Sequence, residues 1–209
     1  MLKIGKSAAT DRLVADELRD ALGACTIGRE IVVLEKTVST NDSVLQRATF
    51  ETPEGLVVFA ERQTAGRGQR GNPWESAARK GLWFSILLRP NIDIGDSGRL
   101  TAWAIEAIAQ TIAKEFALTV TIKPPNDIYI AGKKIAGVLV EMRAQQNAPH
   151  IAICGMGINT NHRPEDFSEE LRARAASLAM VLDRQVDRQQ FAIALLRNLE
   201  RTYVETFGS

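Results

Sequence analysis

Gln63-Thr64-Ala65-Gly66-Arg67-Gly68-Gln69-Arg70-Gly71-Asn72-Pro73-Trp74 is the stretch around which this chain is organised. Its centre, from Gly66 to Gly71, contains three glycines and two arginines. Glycine lets a ligand approach the backbone closely, and successive backbone N–H groups in such a loop can surround an anion. Arginine adds a planar set of donors that matches carboxylate and phosphate oxygens. The stretch therefore predicts a loop that binds an anionic small molecule.

Two other interpretations of this loop stay open on these residues alone. Gly66 to Gly71 fits the G-x-G-x-x-G pattern of dinucleotide-binding folds, and Asp93 lies at a suitable distance for the acidic residue that binds ribose. That pattern requires a helix directly after the loop, whereas Pro73 and Trp74 are followed by another strand-like run. The second alternative is a purely structural loop that happens to be rich in arginine.

The composition is that of one ordinary globular domain of 209 residues. A net charge of +1 argues against a generally basic nucleic-acid-binding protein. Cys25 and Cys154 form no spaced framework, which favours a reducing compartment. The chain contains no apolar run of membrane-spanning length and no apolar segment typical of a signal peptide. These features predict a cytoplasmic protein.

Hydrophobic spacing and turn residues predict an α+β fold. The predicted strands cover residues 31–34, 56–60, 81–88, 120–122, 128–130, 134–142 and 151–154. The predicted helices cover about 10–22, 40–49, 100–116, 164–176 and 191–207, with a cap at Thr10 for the first. Several strands follow one another without a helix between them, so we expect a mixed, mainly antiparallel sheet with helices on one face. Gly155 to Asn159 is expected at the end of the last strand.

Four blocks of sequence occur in an order that resembles the biotin–protein ligases. The blocks are Ser39-Thr40-Asn41, Gln63 to Trp74, Lys123 to Asp127 with Lys133 to Glu141, and Gly155 to Asn159. The resemblance covers roughly residues 31–161. It implies a catalytic domain similar to class II aminoacyl-tRNA synthetases, formed by residues 1–209 as a single unit. Neither the N-terminal helix-turn-helix domain nor the small C-terminal barrel of the family is expected.

The resemblance implies a two-step reaction. The carboxylate of biotin attacks the α-phosphorus of ATP, which enters with Mg²⁺, and gives biotinyl-5′-AMP and pyrophosphate. A lysine of a biotin carboxyl carrier protein, from acetyl-CoA carboxylase or a related carboxylase, then takes the biotinyl group and releases AMP. Both nucleophiles belong to substrates, which agrees with a chain whose only histidines are His150 and His162. The resemblance implies no nucleic acid or membrane partner, and it is compatible with a homodimer.

The family motifs also imply individual roles. Lys123 and Arg67 are expected to be catalytic: Lys123 neutralises the α-phosphate, and Arg67 pairs first with the biotin carboxylate and then with the adenylate phosphate. The residues expected to bind biotin are Ser39, Thr40, Asn41, Gln63, Gly66, Arg67, Gly68, Gln69, Lys123 and Gly137. The residues expected to bind the nucleotide are Arg70, Trp74, Lys123, Asn126, Gly155, Gly157 and Asn159. Helix capping is an alternative role for Ser39 and Asn41, and no metal ligand is predicted. Lys133 and Lys134 are expected to be solvated at a hairpin end.

The chain departs from the family pattern at two positions. The family loop is Gly-Arg-Gly-Arg, in which the last arginine helps to hold the adenylate, and Gln69 replaces that arginine here. We expect the neighbouring Arg70 to substitute for it. Pro124 stands in place of the tryptophan in Lys-Trp-Pro-Asn-Asp.

Three alternative functions remain at this point. The first is a lipoate or octanoate attachment enzyme, which would need an apolar tunnel and lacks the glycine–arginine loop. The second is a biotin-sensing DNA-binding repressor, which would need a basic recognition helix that residues 1–30 do not provide. The third is an inactive biotin-binding relative, which Gln69 and Pro124 would permit.

Overall fold

The structure is a computed structural model and describes residues 11–145 and 150–208. The strands are β1 (Glu30–Leu34), β2 (Leu56–Ala60), β3 (Gly66–Arg67), β4 (Pro73–Trp74), β5 (Gly81–Leu88), β6 (Thr121–Lys123), β7 (Asp127–Ile130), β8 (Lys133–Arg143) and β9 (Ile151–Asn159). Seven of them form one sheet in the order β1-β2-β5-β9-β8-β7-β6, while β3 and β4 form a small separate hairpin. In the large sheet β1 and β2 are parallel and the other neighbours are antiparallel. The predicted mixed, mainly antiparallel α+β fold is confirmed.

The helices are α1 (Ala15–Leu22), α2 (Thr40–Arg47), α3 (Ser97–Phe116), α4 (Glu169–Arg172), α5 (Leu178–Leu182) and α6 (Arg188–Phe207). α1 ends at Gly23, whose φ of 70° suits glycine. α6 begins after Asp187, whose carboxylate accepts a hydrogen bond from the backbone N–H of Gln190. These local signals were visible in the sequence, so both helix ends lie close to where the sequence predicts them.

The two faces of the sheet have different environments. Alternate residues of β5, such as Leu82, Phe84 and Ile86, join the main core with α3 and α6. The opposite face, called here the site face, carries Trp83, Ser85 and Leu87 of β5 and the glycines paired with them. The expectation that helices cover only one face was wrong. α2 packs on the site face because Val44 is buried there against a second apolar cluster that includes Leu87.

Three further expectations differ from the structure. β9 continues through Asn159 instead of ending at Gly155, because its glycines make room for side chains from other elements. The predicted helix over 164–176 is replaced by a 3₁₀ turn at Pro164–Asp166 and the short α4. Phe167 interrupts the predicted helix, because its ring is buried and stacks on His162 with the ring centroids 4.7 Å apart. The predicted cap at Thr10 lies outside the described residues.

Two observations bear on the surroundings of the protein. No helix among the described residues is long and apolar enough to cross a membrane. Cys25 and Cys154 are both free thiols, and Cys154 is buried in the main core.

Candidate active site

A cavity of about 340 Å³ lies over the site face. Its walls are the first turn of α2, the loop that carries β3 and β4, the turn between β6 and β7, and the middle of β8 and β9. The antiparallel register brings Trp83, Gly157 and Gly137 into one row across the sheet, and Ser85, Gly155 and Leu139 into the next. The glycines of these rows add no side chains of their own to the floor of the cavity.

At two of these positions a residue larger than glycine would overlap with a neighbouring side chain. A Cβ placed on Gly157 would lie 2.5 Å from Cε2 of Trp74, and one on Gly155 would overlap with the Asn41 amide. Gly137 is also close, because a Cβ there would lie 3.0 Å from Cζ3 of Trp74. Because Gly157 and Gly155 have no side chain, Trp74 and Asn41 can occupy the space above them.

The polar side chains at one end of the cavity are connected by hydrogen bonds. Oε1 of Gln63 accepts from the backbone N–H of Thr40 at 2.8 Å and lies 3.1 Å from its hydroxyl. Ser85 Oγ lies 2.7 Å from Thr40 Oγ1 and 2.5 Å from Oδ1 of Asn41. Gln63 thus caps the start of α2 from the loop, and the Ser39 side chain makes no capping bond. The side chains of Thr40, Asn41 and Gln63 are uncharged, and these hydrogen bonds hold them in one arrangement.

Arg67 is bound within the protein instead of being free for a ligand. Its Nη1 and Nη2 each donate to one oxygen of Asp42 at 2.7 Å, and Nη2 lies 3.4 Å from Oε2 of Glu141. Glu141 also accepts from Nδ2 of Asn41 at 2.5 Å. The hydrogen bonds to Asp42 raise the pKa of Arg67, and the same contact lowers the pKa of Asp42. The predicted pairing of Arg67 with a substrate anion stays a prediction, and in the structure Asp42 holds its guanidinium.

Three other cations line the far end of the cavity. Lys123, at the end of β6, extends over Tyr129 with Nζ 5.3 Å from the ring centre. Lys134 pairs with Asp127 at 2.7 Å and lies 5.3 Å above the Trp74 ring. Arg70 lines the cavity from a left-handed backbone conformation with φ of 58°. This end is suited to polyanionic groups next to an aromatic ring.

Most residues singled out in the sequence meet at this cavity. Those that line it are Ser39, Thr40, Asn41, Gln63, Arg67, Gly68, Gln69, Arg70, Trp74, Lys123, Asn126, Gly137, Gly155 and Gly157. Two do not line it. Gly66 packs under the carbonyl of Trp74. Asn159 is buried elsewhere and donates to the carbonyl of Ala176 at 3.0 Å.

Several residues of the site were not anticipated. Ser85 and Asp42 belong to none of the four sequence blocks, and Glu141 ends one of them without a predicted role. Only the alternation of β5 and β8 could have predicted that Ser85 and Glu141 share one face of the sheet. Lys134 was expected to be solvated, but it lines the cavity. A β-bulge between Ile128 and Tyr129 shifts the register so that Lys134 turns towards the site face, which no sequence pattern reveals.

The described residues contain no cluster of three or more His, Cys, Asp and Glu side chains arranged to hold a metal ion. Among the residues that line the cavity, Asp127 is the carboxylate, and Lys134 is bound to it. Magnesium bound to nucleotide phosphates needs one or two carboxylates at most. The site therefore fits a metal that arrives with its substrate.

Comparisons with known proteins identify the family of this chain. Residues 33–159 match the Biotin/lipoate A/B protein ligase family. The chain is 35% identical over 192 residues to the bifunctional ligase/repressor BirA of Bacillus subtilis, covering 92% of this chain and 59% of that protein. It is 33% identical over 194 residues to the biotin--[acetyl-CoA-carboxylase] ligase of Mycobacterium tuberculosis, covering 90% of this chain and 70% of that protein. The chain thus spans less than two thirds of the length of the Bacillus relative.

The fold is also similar to that of a solved structure. A biotin protein ligase from Aquifex aeolicus in complex with biotin and ATP superposes with a TM-score of 0.73 and 26% sequence identity. The superposition covers 86% of this chain and 72% of the Aquifex chain.

Proposed function

Because the chain belongs to the Biotin/lipoate A/B protein ligase family, we propose that it activates biotin with ATP and attaches it to a lysine of a carrier protein. The observation that carries this proposal is the division of the cavity into two ends. Thr40, Asn41 and Gln63 offer uncharged hydrogen-bonding groups at one end, which suit the ureido ring of biotin. Lys123, Lys134 and Arg70 offer positive charge at the other, which suits the phosphates of ATP.

The first step forms a mixed anhydride where these two ends meet. A carboxylate oxygen of biotin attacks the α-phosphorus of Mg²⁺-bound ATP, and the bond to the bridging oxygen breaks with release of pyrophosphate. Negative charge develops on the α-phosphate oxygens in the transition state. In this proposal Lys123 and Lys134, which line the cavity, stabilise this charge, and the adenine packs on Trp74, which lies beneath Lys134.

The second step uses the lysine of the carrier. Its neutral amine attacks the carbonyl carbon of biotinyl-5′-AMP, an amide bond forms, and AMP leaves with the electron pair of the broken C–O bond. Neither Cys nor His occurs among the described residues that line the cavity. The chain therefore contributes positioning and electrostatic stabilisation, and both nucleophiles are supplied by substrates.

The proposed carrier is the biotin carboxyl carrier protein of acetyl-CoA carboxylase or of a related carboxylase. The similarity to the Mycobacterium protein with that name supports this choice. We propose the cytoplasm as the compartment because both cysteines are free thiols. A homodimer remains compatible with the proposal and is open to measurement by light scattering.

The decisive experiment incubates the protein with MgATP and radiolabelled biotin and separates biotinyl-AMP by chromatography. Label in biotinyl-AMP, and its transfer to an added carrier domain, is the expected result. Lipoate and octanoate are tested in parallel. Activation of either in place of biotin would show that the protein is a lipoate or octanoate attachment enzyme. Binding of biotin without formation of the adenylate would establish an inactive relative and refute the proposal.

A further inference from the structure

Arg67 differs from the other cations of the cavity in making a two-point ion pair inside the protein. Its guanidinium makes two parallel hydrogen bonds of 2.7 Å to Asp42 and approaches Glu141 to 3.4 Å. A substrate anion that approached Arg67 would meet two carboxylates at the same time. Two-point contacts of this kind fix the orientation of both partners as well as attracting them.

The ion pair also joins two parts of the site that are distant in sequence. Asp42 lies in the first turn of α2, and Arg67 lies in β3 at the start of the glycine loop. Gln63 makes a second link between the same elements through the backbone of Thr40. The loop is thereby attached to α2 at two points along the edge of the cavity.

The remaining positive charges of the cavity are less restrained. Within the part of the chain that the structure describes, no carboxylate lies at ion-pair distance from Arg70 or Lys123. Lys134 shares a single contact with Asp127. These three side chains can turn to an incoming anion without first breaking a two-point ion pair.

We infer that Asp42 is a positioning residue, which holds Arg67 and with it the glycine loop across the cavity and so sets how long the activated intermediate is retained. The charges that meet the substrate anions are then those of Arg70, Lys123 and Lys134. The link to the intermediate rests on the proposed function. The attachment of the loop to α2 does not rest on the proposed function, and it can be measured without any substrate.

The first measurement is hydrogen exchange of residues 64–78 in the protein without ligand, for the native chain and for Asp42→Asn. Loss of the ion pair should speed exchange in this segment about threefold to tenfold. The matched control is Glu35→Gln. This substitution removes the exposed carboxylate of Glu35, whose Oε2 lies 3.1 Å from Nη2 of Arg79 near the other end of the same loop. Glu35 does not line the cavity. Unchanged exchange in Asp42→Asn, or an equal effect of Glu35→Gln, overturns the inference.

The second measurement follows retention of the intermediate. Asp42→Asn should raise the KM for biotin and the rate of release of biotinyl-AMP several-fold, with kcat for adenylation within about twofold of the native value. Tighter substrate binding in this variant would mean that Asp42 competes with the substrate for Arg67, and would refute the positioning role.

The exchanged pair, Asp42→Arg with Arg67→Asp, distinguishes an ion pair that holds the loop from an Arg67 that binds a substrate anion. If the pair acts by holding the loop, the double variant should recover slow exchange and slow release relative to Asp42→Asn. If Arg67 itself must bind a substrate anion, the double variant should stay inactive, which would overturn the inference. Should the native protein form no biotinyl-AMP, the proposed function fails while the exchange data still decide whether Asp42 holds the loop.

Discussion

The indole of Trp74 packs directly against the backbone of Gly157, so close that a Cβ on Gly157 would lie 2.5 Å from Cε2 of the ring. We expect Gly157→Ala to displace Trp74 from the cavity and to raise the KM for ATP about tenfold or more, because an aromatic surface for adenine is lost. The fold should persist, since the ring can move towards solvent. Steady-state kinetics and thermal unfolding measure both effects.

The control for this substitution is Gly98→Ala, in the first turn of α3. No atom lies within 4 Å of a Cβ added there, and alanine favours helix more than glycine does. It should leave the KM unchanged and stabilise the protein by up to about 1 kcal/mol. An unaltered KM for ATP in Gly157→Ala would show that Trp74 does not contact the nucleotide.

Lys123 and Lys134 are the two lysines that line the cavity. We expect either change to Ala to lower the rate of adenylation on the order of 10²-fold, because positive charge near the α-phosphate acts in the transition state. Lys133→Ala is the matched control. Its Nζ lies 3.4 Å from the carbonyl of Arg172 and does not line the cavity. Single-turnover formation of biotinyl-AMP measures the effect, and full activity of Lys134→Ala would remove that residue from the proposed mechanism.

We predict that Gln69 and Arg70 determine how firmly the proposed adenylate is held. Gln69 is neutral, and a charge-assisted hydrogen bond to phosphate is roughly twice as strong as a neutral one. Arg70 lines the cavity, so we expect Arg70→Ala to raise the release of biotinyl-AMP sharply and Gln69→Arg to change it little. Release is measured as labelling of free lysine in solution. The opposite result, in which only Gln69→Arg slows release, would identify a ligase that holds its intermediate loosely.

His162 predicts a pH-dependent stability. Its ring is buried between Phe167 and Trp83, and this burial lowers its pKa from 6.5 to about 4. Between these two pH values the unfolded chain binds a proton at this position and the folded chain does not. The free energy of unfolding should therefore fall, by up to about 3 kcal/mol, as the pH is lowered through this window.

Urea unfolding of the native chain and of His162→Phe, at pH 7 and at pH 4.5, tests this expectation. Phenylalanine has no proton to bind, so the variant should lose less stability between the two pH values than the native chain does. Asp42, whose pKa is lowered mainly by its hydrogen bonds to Arg67, loses its contribution at lower pH and affects both proteins alike. Equal losses in the two proteins would contradict the assignment to His162.

Much of the fold follows from local signals in the sequence. Gly23, the cap at Asp187 and the apolar run of β5 placed their elements correctly, because turn chemistry and side-chain alternation act over a few residues. The glycine loop and the block at Lys123 come together at one cavity, and the binding roles that the sequence gives them stay predictions. Their residue types suit an anionic ligand wherever the fold brings them together.

The tertiary structure alone decided which groups face each other at the cavity. The sequence predicts Gly155 and Gly157 at the end of the last strand, yet they lie inside it, where Asn41 and Trp74 from distant parts of the chain occupy the space above them. A β-bulge turned Lys134 towards the cavity. Asp42 lies across from Arg67 only because α2 packs on the site face through Val44. Such relationships depend on register and packing between remote segments, and no local pattern in the sequence encodes them.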